Sequence, residues 1–260
     1  MQIETTVKNY VLEVLLQMTQ SENFNDIYNQ LLDNYKTFTT NGKEFSNSKK
    51  KKEAVDNYKK QLKKRLDLRE NIYRIQAREY GKDIEIACHY LQKDINLPIW
   101  AIFELMTFGE FGTFVSCLNK RCRAKISINL GIYQGDDTNS MMPQRLIFAT
   151  KDLRNVIAHN NVVFDTRFKK GEIHKQVSNA ISNATDINNI SFDTITDYLI
   201  LIIYQLKLLK FSKTELKRII SEFENAVEKL RNSIPINYFN QIIYTDNNNK
   251  IKKLKKYISS

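Results

Sequence analysis

The chain has 260 residues and carries 40 Lys+Arg against 29 Asp+Glu, a net charge of +11. No stretch reaches the ~18 to 20 uninterrupted apolar residues of a membrane span, so no membrane partner is expected. A surface this basic favours a polyanion such as RNA or DNA, the plain alternative being a compositional bias toward Lys and Asn.

Seven glycines and three prolines are few for this length, which argues for long helices. Ile3, Val7, Val11, Leu12, Leu15 and Leu16 recur at helical spacing over residues 1 to 18, with Glu4 and Lys8 an i,i+4 pair. A second helix is expected over 23 to 36. Residues 37 to 52 are polar, include Gly42 and lack periodicity, and read as a mobile loop. From 53 to about 79 the charge is dense, with Tyr58, Leu62, Leu66 and Ile72 as a thin apolar stripe. On this long, mostly solvated helix, Lys59, Lys60, Lys63 and Lys64 offer a surface for phosphates.

Residues 96 to 118 are the most apolar part of the chain. Pro98 suits a helix start, Trp100 lies one turn in, and Gly109 and Gly112 suggest a break or a close crossing. The aromatic spacing reads as core rather than as a base-stacking platform. A loop over 131 to 143 leads to a helix opened by Pro143. A polar stretch then runs to about 190, followed by helices at about 192 to 210 and 212 to 232. The pattern is all-α, expected as a single domain over 1–244 with a Lys-rich tail at 245–260.

Leu146, Ala149, Leu153, Val156 and Ile157 form one stripe of the helix after Pro143 and are expected to face the core. On the opposite side Asn155 and His159 are i,i+4 neighbours, and Arg154 lies on a flank. Asn160 and Asn161 favour a helix C-terminus. His159, one of three histidines, is therefore expected in the last turn, where the helix dipole favours a cation. Imidazoles as a class exchange protons near neutral pH, and a fork-shaped guanidinium suits a phosphate. Arg154, Asn155 and His159 together therefore fit RNA cleavage: a proton-transfer group, a phosphate clamp, and an amide to orient the imidazole or bind the phosphate. One imidazole cannot act as base and acid at once, so a second copy across a two-fold axis, or water, must complete the set.

Other chemistries find less support. The four-residue gap between Cys117 and Cys122 exceeds the usual zinc spacing, and the adjacent Cys88 and His89 point to different faces. The three cysteines read instead as free thiols of a reducing cytoplasm. His89 reads as a structural contact beside Tyr90, and His174 as a solvated loop residue. No phosphate-cradling glycine loop or nucleophile elbow is present, and no cofactor or metal is expected.

The stretch LRNVIAH (153 to 159) resembles the Arg-polar-x-x-x-His signature of HEPN-domain ribonucleases. HYLQKDINLPIWAIFELMTFGEFGTFVSCLN (89 to 119) resembles the His-Tyr … Leu-Pro-Ile-Trp … Phe-Gly block of the abortive-infection Abi family, in the branch that includes AbiD and AbiF. IETTVKNYV is similar to that family's Ile-Glu-x-x-x-Lys helix. The resemblance is good over about 65 to 165. It implies an all-α HEPN-like bundle, a composite site in a homodimer, and metal-independent cleavage of single-stranded RNA in phage defence or a toxin–antitoxin system, in association with a small structured RNA. Arg154, Asn155 and His159 are then the catalytic residues. Relatives carry an N-terminal region before the Ile-Glu helix, and a basic residue where this chain has Val162. Arg167, Lys169 and Lys170 are expected to take over that residue's part in RNA binding. The alternative reading is a non-catalytic RNA-binding protein of the same fold.

Overall fold

The computed structural model describes residues 2 to 259 except 41, 42, 45, 133, 134, 136, 164, 165, 167 and 170. The described residues are all-α, with thirteen α-helices and one 3-10 helical turn and no strand. Among the described residues, strand-type pairing is limited to an isolated bridge between Asn23 and Pro98. The chain divides into two compact units: Met1–Thr6, Leu130–Thr138 and Arg145–Ser260 form the first, and Val7–Asn129 with Asn139–Gln144 the second.

The second unit takes most of α1 (Gln2–Thr19), then α2 (Phe24–Leu31), the 3-10 turn (Asn34–Phe38), α3 (Ser48–Tyr80), α4 (Glu85–Leu91), α5 (Ile99–Leu105), α6 (Phe108–Cys117) and α7 (Lys120–Asn129). The 33-residue α3 packs against the 3-10 turn and against α4, α5 and α6. It starts at Ser48, inside the expected loop, because the Asn47 carboxamide accepts the Lys50 amide at 2.8 Å and caps the first turn. Its buried stripe runs through Leu68, Ile72 and Ile75, whereas Leu66, expected within it, is 52% exposed. The apolar block breaks at Met106–Thr107, ahead of either glycine. There the Thr107 hydroxyl accepts the Glu110 amide and the Glu110 carboxylate accepts the Thr107 amide at 2.8 Å, a reciprocal cap that starts α6. Phe103 meets Phe111 and Phe114 edge-on at 5.0 Å in the core.

The first unit contains most of α8 (Met142–Ala158), then α9 (Lys175–Thr185), α10 (Ile195–Leu208), α11 (Lys213–Ser233), α12 (Ile236–Ile242) and α13 (Asn247–Ser259). Helix α10 is largely apolar and buried, packed against α9, α11 and α13. Among the described residues, no helix is long and apolar enough to cross a membrane. Helix α9 falls in the stretch read from the sequence only as polar. Val177 and Ile181 bury one turn apart, and the His174 ring nitrogen Nδ1 accepts the Gln176 amide at 3.2 Å as the N-cap.

The Lys-rich tail is α13, and one of its lysines is structural. The Lys250 ammonium is 2.9 Å from Asp197, which is fully buried, and 3.0 Å from Asp246. It also donates to the Asn189 carbonyl at 3.1 Å. The other Asp197 oxygen accepts the amides of Ser191 and Phe192, at 3.1 and 3.0 Å. With its partners thus supplied, the carboxylate pins the entry to α10 onto α13.

Burial alone would draw the Lys250 ammonium down, but the hydrogen bonds and charges of Asp197 and Asp246 outweigh it and raise its pKa. The folded chain therefore keeps this proton after the unfolded chain has released it. The resulting stabilisation is complete below about pH 10.4 and fades as the pH climbs through the folded-state value. Lys250→Met, which strands the carboxylate, should lower the unfolding free energy by roughly 3–5 kcal/mol. The exposed Lys252→Met should change it by no more than about 0.5 kcal/mol. Urea titrations of both variants at neutral pH, and of the wild type between neutral and alkaline pH, measure these effects.

Candidate functional site

Helix α8 is anchored within the first unit along its middle. Leu146, Ala149 and Leu153 are buried, and the Gln205 amide of α10 donates to the Thr150 hydroxyl at 2.7 Å and to the Leu146 carbonyl at 3.3 Å. Beyond Leu153 the stripe loses its cover. Val156 is half-buried and Ile157 is 61% exposed, so the expectation that both face the core is corrected. Ile157, Ala158 and His159 are all exposed.

The helix ends through two backbone hydrogen bonds. The Asn160 amide donates to the Ile157 carbonyl at 3.1 Å and the Asn161 amide to the Val156 carbonyl at 2.9 Å, with Asn160 at φ 52°. This is the left-handed closure that the Asn pair signalled. His159 is the last residue before it. Its ring is exposed and makes no hydrogen bond to any described residue, which leaves both nitrogens open.

Arg154 is fixed elsewhere. Its Nε donates to a Glu4 carboxylate oxygen at 2.8 Å, and an Nη donates to the Asn155 side-chain oxygen at 3.1 Å. A guanidinium has five N–H groups. With two engaged, three have no partner among the described residues. The guanidinium makes no contact with the imidazole, and Asn155 orients the arginine rather than the histidine. The arrangement offers a positioned fork of donors and, about one turn along the helix, an unencumbered proton-transfer group. In the sequence Glu4 stood out as the i,i+4 partner of Lys8 and as part of the Ile-Glu-x-x-x-Lys pattern, with nothing to tie it to Arg154. The Lys8 ammonium of that pattern donates to the Met106 carbonyl at 2.8 Å.

The expected RNA-binding residues scatter. Arg167 and Lys170 lie outside the described residues. The Lys169 ammonium is 2.8 Å from Asp193, whose carboxyl this hydrogen bond holds below its usual range. Lys59, Lys60 and Lys63 are exposed on α3 and Lys64 is half-buried. Lys60, Lys63 and Lys64 line an open groove of the second unit. Lys63 is also 2.7 Å from Asp67.

The remaining histidines and cysteines do not build a second centre. His89 lies edge-on to Tyr90 at 5.1 Å. Desolvation, then the Arg145 charge, hold the His174 imidazole below its usual range. The three cysteines are free thiols; burial pushes Cys117 up and Cys122 up to about 12, so both stay protonated. Among the described residues no group of three or more His, Cys, Asp or Glu could hold a metal ion.

An all-helical protein with an Arg-Asn-x-x-x-His helix end is thus defined. Its chain belongs to the family described as Abi-like protein, whose model matches residues 1–165. The match takes in Glu4, Arg154, Asn155 and His159. Comparison with curated proteins and with solved structures finds no match. Membership of this family suggests a part in abortive infection.

The closure of α8 is testable apart from any activity. Asn160→Val forces a β-branched residue into the left-handed region and should lower stability by about 1–2 kcal/mol, while Asn160→Gly should be neutral or better. Thermal unfolding of the two variants measures the difference.

Proposed function

We propose that this chain is a HEPN-type endoribonuclease of the AbiD/AbiF branch that cuts single-stranded RNA in antiphage defence or as the toxin of a toxin–antitoxin system. The observation that carries this reading is the geometry at the end of α8: an exposed imidazole with both nitrogens open, beside a guanidinium held by Glu4 and Asn155 with three donors to spare. In the proposed reaction His159 takes the proton of a 2′-hydroxyl. The O2′–P bond forms as the P–O5′ bond breaks, Arg154 and the free Asn155 amide bind the phosphoryl oxygens as charge builds, and the departing O5′ receives a proton. That second proton comes from water or from a second His159, which is why we propose a homodimer that pairs two α8 ends. Three free thiols support a reducing cytoplasm as the location in this reading.

A second reading, RNA binding without cleavage, is favoured by one observation. The Glu4 carboxylate already compensates the Arg154 charge, and the uncompensated cations of the α3 groove lie in the other unit.

The test is cleavage of a labelled single-stranded RNA by wild type and His159→Ala in the presence of EDTA. Loss of the imidazole should slow cleavage by roughly 10²- to 10⁴-fold, and wild-type products should end in a 2′,3′-cyclic phosphate. Glu4→Ala should slow cleavage by less, since Arg154 keeps its charge and loses only its anchor. Undiminished cleavage by a clean His159→Ala preparation rules out the enzymatic reading. Salt-sensitive RNA binding without cleavage by either protein establishes the second reading.

A further inference from the structure

The groove that Lys60, Lys63 and Lys64 line lies wholly in the second unit, formed by the 3-10 turn, α3, α6 and residues Met141 and Gln144. Its volume of about 760 Å³ falls in the range of small-ligand pockets. Both carboxylates on its wall are engaged: Asp67 is 2.7 Å from Lys63, while Glu110 accepts the Thr107 amide at 2.8 Å and the Asn71 amide at 3.3 Å. Lys60 and Lys64 have no carboxylate partner among the described residues. Burial draws the Lys64 pKa down, and the charges of Arg123 and Lys60 lower it further. An anion in the groove would favour the charged form of Lys64 and offset the repulsion of its cationic neighbours.

The remaining lining is suited to a base. The Gln144 side-chain oxygen is buried and accepts no hydrogen bond, and a buried acceptor left unpaired is destabilising. Phe38, half-buried on the same wall, offers an aromatic surface. Cation, aromatic ring and unmet acceptor in one cavity are the parts that hold a nucleotide out of a stack.

We propose that this groove takes one unpaired nucleotide of an RNA strand, its phosphate on Lys60 and Lys64, its base on Phe38, and an exocyclic amine donating to Gln144. The site rests on the reading of the chain as an RNA-handling protein and is independent of His159. It favours A, C and G, which carry that amine, over U. A duplex keeps its bases stacked inside and cannot fill it.

The experiment is fluorescence anisotropy of labelled A, C and U dodecamers, and of a duplex, titrated with full-length His159→Ala protein so that no strand is cut. Adding Lys60→Met and Lys64→Met should weaken single-strand binding about tenfold and flatten the slope of log affinity against log salt by about 1.4, two phosphate contacts' worth. Lys60→Met alone, at an exposed position, should flatten it by about 0.7. Gln144→Leu should weaken A and C strands roughly fivefold and leave the U strand and the salt slope unchanged, a selectivity that general loosening of the fold would not produce. Unaltered affinity and slope in both lysine variants of a protein that does bind RNA overturn the groove while leaving the cleavage reading intact. Equal binding of duplex and single strand overturns it too, as does capture of free AMP or CMP that no strand displaces. A chain that binds the dodecamers through the groove yet cuts nothing as wild type keeps this proposal and loses the enzymatic one.

Discussion

Arg154 and Glu4 are 150 residues apart in sequence, and the 2.8 Å bond between them governs what the end of α8 can do. A free arginine would spread its guanidinium over many rotamers and lose that freedom on meeting a ligand. Here the loss is taken on folding, with two of the five donors already placed, so a phosphate meets a pre-organised fork. The same carboxylate repels an incoming anion and offsets the charge of the arginine. Arg154 is thus better suited to orienting a phosphate than to attracting one, and in the proposed RNA reading the long-range attraction comes from other residues.

The imidazole is held differently. It has no anchor of its own, and its position follows from where the helix stops. Asn160 in the left-handed region turns the chain immediately after His159, and the buried Leu146, Ala149 and Leu153 with the Gln205 bonds hold the body of α8. The result is a firm helix that ends in an exposed side chain free to rotate about its own torsions. Such a ring can take a proton from one atom and return it to another, which a fully hydrogen-bonded imidazole does poorly.

Much of this was legible in local sequence. Pro143 and the Asn pair bracket α8, Arg154, Asn155 and His159 stand out by residue type, and the Phe-rich block is the core it resembles. What was not legible depends on distance or on cover. Periodicity assigns Ile157 to an apolar face but cannot say that the face runs out of partners after Leu153. Nothing in the spacing of the chain pairs Glu4 with Arg154. Lys250 sits among lysines that look uniformly solvated, and only the single Asp197 in a helix of leucines and isoleucines hinted that a cation had to come to it. Gln205, which in sequence merely interrupts an apolar run, is the residue that secures α8.

These placements change the meaning of the +11 charge. On α13, Lys250 is buried against Asp197, Lys253 is 3.3 Å from Asp186, and Lys255 is 2.7 Å from Glu224, so much of the basic tail is compensated within the first unit. Lys169 is compensated by Asp193 and Arg154 by Glu4. On α3, by contrast, Lys60 and Lys64 face a cavity whose own carboxylates are already occupied. A net charge counts every lysine alike, but a polyanion responds only to those without an internal partner. By that measure the residues we propose to hold a strand and those we propose to cut it belong to different units of the chain, so the two proposed roles place few conflicting demands on the same side chains.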